Sequence, residues 1–329
     1  MTRLLASLLL VLFSAGAASA RCAGEDLRGT LSPEDRAALA SAVAATPYPE
    51  GNRWRATRGA RVIDIVGTIH LSDPRLDPVM ERLAPAVAAA DLVLVELSDE
   101  DEAALQSEIA ADPGRLLLPG TETLPGFMDD ATWQTLSDAI RARGLPPAMA
   151  ARMQPWYLSL QLAIPPCAMP EIVAGARGLD HRVIEAARAG GVPVRSLEPV
   201  DTLFALFGQA PLEEQVKMLL LGMMPAEATE DAFTTTIEAY FDETHAEGWQ
   251  MARVVARRTL DLPAEEIDAV FAEMETRLLD ERNRAWIDVI EAAEGDRLLL
   301  AFGAAHLFGE AGVLALLQSE GYTIARLPF

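Results

Sequence analysis

Ile65-Val66-Gly67-Thr68-Ile69-His70 and Ala301-Phe302-Gly303-Ala304-Ala305-His306 are the two stretches whose reading decides the fold. Each is an apolar run that meets Gly-x-x-His and then a leucine, with residues suited to a helix soon after. A near-continuous apolar run bounded by glycine is the pattern of a strand buried on both faces of a sheet. In an open α/β sheet, ligands bind beyond the carboxyl ends of the strands, where the loops diverge. Both histidines therefore belong to one functional rim. A lone histidine after a strand is ordinarily a cap or packing residue. Two of only four histidines in the same context carry more weight.

Working outward, Leu92–Leu97, Val192–Leu197 and Tyr322–Leu327 read as further strands, and Trp54–Thr57 adds an edge strand turning through Arg58-Gly59. Helical spacing fills Pro74–Ala90, with Asp73 as N-cap, and Asp180–Ala189, which Asp180 would cap and Gly190-Gly191 would stop. Glu310–Glu320 is the last such segment. Strand–helix–strand order predicts an α/β fold with a mostly parallel central sheet flanked by helices. Two long helical tracts, at about 100–176 and 200–294, interrupt this plan as insertions. No Gly/Ser-rich linker isolates them, so residues 21–329 are expected to form a single domain.

Residues 1–20 read as a secretory signal peptide. Arg3 starts it, Leu4–Phe13 form a short apolar core, and Ala18-Ser19-Ala20 supplies the small-x-small cleavage pattern. That run falls short of the ~20 apolar residues of a membrane-spanning helix. Arg21, not a small residue, precedes Cys22, against a lipidated cysteine. A periplasmic or secreted protein without a stable membrane anchor follows as the expectation. The formal charge of −22 argues against nucleic acid, whose phosphates need a basic footprint. Cys22 and Cys167 are the only cysteines; in an oxidising compartment they are free to pair.

The rim also has a carboxylate. Glu96 lies in an apolar strand, where an uncompensated charge is costly unless a metal or another charge sits beside it. Two imidazoles and a carboxylate with an open position make a hydrolytic metal site. His70, Glu96 and His306 are the candidates. Asp99–Glu102 read as a solvated loop and helix start. His181 and Glu185 fall on an exposed helix face, His245 on the surface, and Met218, Met223 and Met224 in a helix core. Glu198 ends a strand beside the rim. His-Glu-x-x-His, Gly-x-Ser-x-Gly, a P-loop and the dinucleotide fingerprint are all absent from the sequence.

Further motifs occur in order: Val95-Glu-Leu97, Gly178-Leu-Asp180 with Leu197-Glu198, Arg282-Asn283-x-x-Trp286, Gly303-Ala-Ala-His306-Leu-x-Gly309 and Gly321-Tyr-x-x-x-Arg326-Leu327. Together they resemble the TraB/GumN family, related to the Tiki proteases, over roughly residues 50–329. The resemblance implies a fold similar to erythromycin esterase and the haem-uptake ChaN proteins. It implies a divalent-metal-dependent peptidase using manganese or cobalt, with His70, Glu96 and His306 as the metal or catalytic set; zinc is a further candidate for the same ligands, and the signal peptide makes the expected peptidase an exported one. Arg282 and Asn283 are implied beside them, Arg282 holding a substrate carboxylate or an oxyanion. The substrate would be a peptide or another small extracytoplasmic molecule. Two alternatives stay open: a non-catalytic protein holding a metal, haem or peptide on the same rim, and a metal-independent esterase.

Overall fold

The computed structural model describes residues 22–260 and 262–329. The signal-peptide reading falls on residues outside the described ones. Among the described residues, six strands form one mixed sheet in the order β4-β3-β5-β2-β1-β6. They are β1 (Arg53–Arg58), β2 (Arg61–Thr68), β3 (Leu92–Val95), β4 (Val194–Ser196), β5 (Arg297–Gly303) and β6 (Thr323–Arg326). β2, β5, β3 and β4 are mutually parallel, while β1 runs antiparallel to both β2 and β6. The α/β fold and its mostly parallel sheet are as the sequence predicts.

The composition of each strand explains its place. All four residues of β3 are buried, as a central strand covered on both faces requires. The strand expected at the edge, β1, is an inner strand, because β6 pairs along its other side; its Arg55 forms an ion pair with Asp64 of β2 on a face that water reaches. Register then aligns the rim. Val66 pairs with Ala301, Ala301 with Val95, and Val95 with Ser196, so one row of residues crosses four parallel strands. Glu96, Glu198, Gly303 and Gly67 all fall within two residues of that row. The two Gly-x-x-His motifs lie side by side, one residue out of step: Gly67 pairs with Phe302 and Thr68 with Gly303.

The main core packs helices Leu76–Ala89, Leu179–Ala189, Glu281–Ala292 and Val313–Ser319 on the sheet. The helical tracts between β3 and β4 and between β4 and β5 build a second core around Leu124, Leu136, Ile140, Leu158 and Leu219. Cys22 is disulfide-bonded to Cys167, tying the N-terminal segment to the first of these tracts. Among the described residues, no helix is long and apolar enough to cross a membrane.

Several local expectations need correction. The helix expected over Pro74–Ala90 runs from Leu76 to Ala89, with Arg75 at its N-cap position and no side-chain cap; Asp73 instead accepts the Arg75 N–H in the preceding turn. Gly178, not Asp180, caps the Leu179–Ala189 helix. His245 is buried, stacked on Phe308 between Asn52 and Tyr48. Met218 is 41% exposed and is no core residue.

Candidate active site at the strand rim

Each parallel strand delivers a polar group to one rim: His70 after β2, Glu96 after β3, Glu198 after β4 and His306 after β5. Glu96 lies just beyond its strand, where backbone N–H groups no longer serve the ladder. Gly303 donates one of these to Glu96 Oε1 at 2.6 Å. A Cβ on Gly303 would sit 3.1 Å from that oxygen, so the second Gly-x-x-His glycine makes room for the carboxylate it binds.

Arg282 is the keystone. Its Nε and Nη2 grip Glu198 in a bidentate pair at 2.8 Å each, and Nη2 also reaches Glu96 Oε2 at 2.7 Å. Nη1 donates to Leu278 O at 3.0 Å and to His306 Nε2 at 3.2 Å. Arginine has no acceptor, so His306 Nε2 presents its lone pair. The His306 proton is then on Nδ1, where it is donated to Asn283 Oδ1 at 2.6 Å. Asn283 Nδ2 in turn donates to Ala311 O, which fixes the orientation of its amide. Trp286 completes the cluster, donating Nε1–H to Glu198 and lying 4.3 Å from the His306 ring.

The helix that carries these residues has an irregular start. Thr276–Asp280 form a π-helical turn between the Ala264–Glu275 and Glu281–Ala292 helices. Such turns shift the helical register and recur at functional sites. Here the turn lets Arg282, Asn283 and Trp286 face the rim together, while its Leu278 carbonyl supports Arg282.

His70 stands apart from this buried group. Gly178 packs directly on the backbone of Ile69 and His70, where a Cβ would come within 2.2 Å of Ile69 O. Leu179 N donates to that same carbonyl. The contact brings Asp180 to His70, Oδ2 to Nδ1 at 2.9 Å. The opposite ring nitrogen is left free to meet a ligand on a side chain that is 64% exposed. Sequence reasoning missed this role for Asp180. The signal was there in Gly178-Leu-Asp180, but only the close helix–loop contact gives it meaning.

Charges follow the geometry. The hydrogen bond that His70 donates to Asp180 raises His70 to about 9, although solvent around the exposed ring weakens that pull. Asp180, despite its burial, is held well below the usual carboxylate range by the two imidazoles beside it, His181 and the hydrogen-bonded His70. Burial pushes His306 down to about 3. Burial also works to raise Glu96, but His306, His70, Arg282 and the Gly303 N–H hold it at about 2. Since His306 is neutral near pH 7, the cations facing Glu96 there are Arg282 and protonated His70.

The expected metal set does not assemble. The ligand atoms of His70, Glu96 and His306 do not all lie within 4.8 Å of one another. His306 Nε2 and Glu96 Oε1 are 3.9 Å apart, but Arg282 covers both groups. A permanent guanidinium engages the lone pairs that a divalent ion would need, so these residues do not fit a metal held by the paired motifs. Arg282 is likewise not a free oxyanion donor, because all its N–H groups are engaged.

A model of the TraB/PrgY/gumN family matches residues 52–326. Uncharacterized protein YbaP of Escherichia coli (strain K12) is 24% identical over 271 residues, covering 79% of this chain and 89% of the relative. Uncharacterized protein YbaP of Shigella flexneri aligns with the same identity and coverage. No solved structure matches.

Proposed function

From the premise that this chain belongs to the TraB/PrgY/gumN family, we propose that it is an exported hydrolase of carbonyl substrates, peptides or esters, whose acid–base group is His70. The single observation carrying this reading is the exposed His70 ring held by Asp180 beside a partly buried polar cluster whose members are paired with one another. Asp180 holds Nδ1 and so leaves Nε2 as the working nitrogen. In its neutral form His70 takes a proton from water as the oxygen attacks the carbonyl, then returns that proton to the leaving group. Glu96, Glu198, Arg282, Asn283 and His306 form the rigid floor beneath it; their hydrogen bonds are satisfied among themselves. They position and polarise, and the rim histidine does the proton transfer.

This reading favours the metal-independent alternative at the paired motifs over a metal-dependent peptidase, because Arg282 stands in the ion's place. Export is supported by the signal-like leader and by the Cys22–Cys167 disulfide, a bond typical of oxidising compartments. The test is hydrolysis of a peptide and ester panel by the purified protein and by His70→Ala, with and without chelator. Chelator-resistant turnover lost in His70→Ala supports the proposal. Equal turnover in both proteins sinks it.

A further inference from the structure

Next to the rim lies a second group of side chains that neither the paired motifs nor the hydrolase reading uses. Asp99 and Glu102 are three residues apart and share one face of the Asp99–Ala111 helix, which follows directly from β3. His181 faces them from the first turn of the Leu179–Ala189 helix. Ligand atoms of Asp99, Glu102 and His181 all lie within 4.8 Å of one another.

Three details distinguish this group from an ordinary acidic patch. His181 Nε2 and Glu102 Oε2 are 3.5 Å apart, long for a hydrogen bond. Two ligands of one tetrahedral ion, each bonded at ~2.0–2.1 Å, lie ~3.3 Å apart. Secondly, Asp99 Oδ1 is sealed from solvent and has no hydrogen-bond partner, while Oδ2 is held by Arg188 Nη1. A buried carboxylate oxygen without a partner is costly, and a cation would relieve it. Thirdly, His181 Nδ1 lies 3.2 Å from Asp180 Oδ2, close but without hydrogen-bond alignment in this arrangement. A carboxylate behind one nitrogen of an imidazole, with the other nitrogen facing acceptors, is how metal-ligating histidines are held.

We propose that Asp99, Glu102 and His181 form a binding site for a divalent transition-metal ion, with an open position for water. Two carboxylates balance its charge, and an imidazole with two carboxylates suits zinc, cobalt or manganese better than calcium or magnesium. The ion clamps the helices that follow β3 and precede β4. Asp180 Oδ2 contacts both His181 and His70, so the ion also steadies the carboxylate that orients His70. The site goes beyond the hydrolase reading and stands without it, because it is detected by binding.

The test uses the full purified protein, stripped with chelator and dialysed, then titrated calorimetrically with Zn²⁺ and spectroscopically with Co²⁺. Wild type and His70→Ala are expected to bind one ion per chain, with a visible Co²⁺ band. His181→Ala and the isosteric Glu102→Gln are expected to lose at least tenfold in affinity and to weaken that band, with metal-free melting temperatures unchanged. The absence of stoichiometric binding to wild type overturns the proposal. So does equal affinity in wild type and both variants, or a loss in His70→Ala that the other two do not share.

Discussion

At the residue scale, His70 and Asp180 divide their work through one hydrogen bond. As a base, His70 acts only when neutral, so hydrolysis should fall as pH drops through its raised pKa. Asp180→Asn removes the charge that raises it. The limb of the rate profile should then move toward lower pH, while the maximal rate drops because the ring is no longer oriented. A limb that stays in place in Asp180→Asn would contradict this. His70→Ala should cost roughly 10²–10⁴ in kcat/KM, the span of general acid–base catalysis, while the fold is retained and the melting temperature near pH 7 falls only slightly, because the lost His70–Asp180 bond lies at an exposed ring. His70 and His306 were legible in sequence from their repeated context. Their difference was not. One ring is open and charged, the other sealed and neutral, and only burial and partners decide that.

Elements set the stage for these residues by close approach and register. The contact of Gly178 with Ile69 and His70 leaves no space for a methyl group, and backbone atoms cannot turn aside. Gly178→Ala should therefore push the Leu179–Ala189 helix away from the rim at a cost of about 1–3 kcal/mol. Urea unfolding would measure the loss, and activity should fall with it because Asp180 no longer reaches His70. Arg282 joins the Glu281–Ala292 helix to two strand ends. Arg282→Leu strands Glu96 and Glu198 without their cation. Breaking a buried pair this way typically costs about 3–5 kcal/mol, and these partly exposed carboxylates should fall near the lower end. A denaturation midpoint close to wild type would show that water compensates both carboxylates. The sequence marked Arg282 and Asn283 through a motif, but not the π-turn that aims them; hydrophobic spacing reports an average helical period and is blind to one extra residue.

At the scale of the whole molecule, one covalent bond joins the N-terminal segment to the first helical insertion. The Cys22–Cys167 bond closes a sequence separation of 145 residues. Its removal by reduction or Cys167→Ser should lower stability by about 2–4 kcal/mol, mainly through the freed unfolded chain, as read from urea curves with and without reductant. Acid should also destabilise the fold. Burial pushes His245 down to about 4 and His306 to about 3, so both are neutral in the folded state. Unfolded, each binds a proton near its ordinary value of about 6.5. Their contribution is thus present above about pH 6.5 and is lost progressively as pH falls toward 4. His70, with its raised value, works the opposite way and favours the folded state until pH climbs toward 9. Unfolding midpoints between pH 7 and 5 should fall less steeply in His245→Gln than in wild type. By itself, the sequence determined the α/β order, the strand ends and the rim they share, because apolar periodicity and glycine stops act locally. Only the tertiary structure decided that Arg282 fills the space between Glu96, Glu198 and His306, that Asp180 belongs to His70, and that His245 is buried. Those outcomes depend on which distant groups meet, and on whether water remains between them.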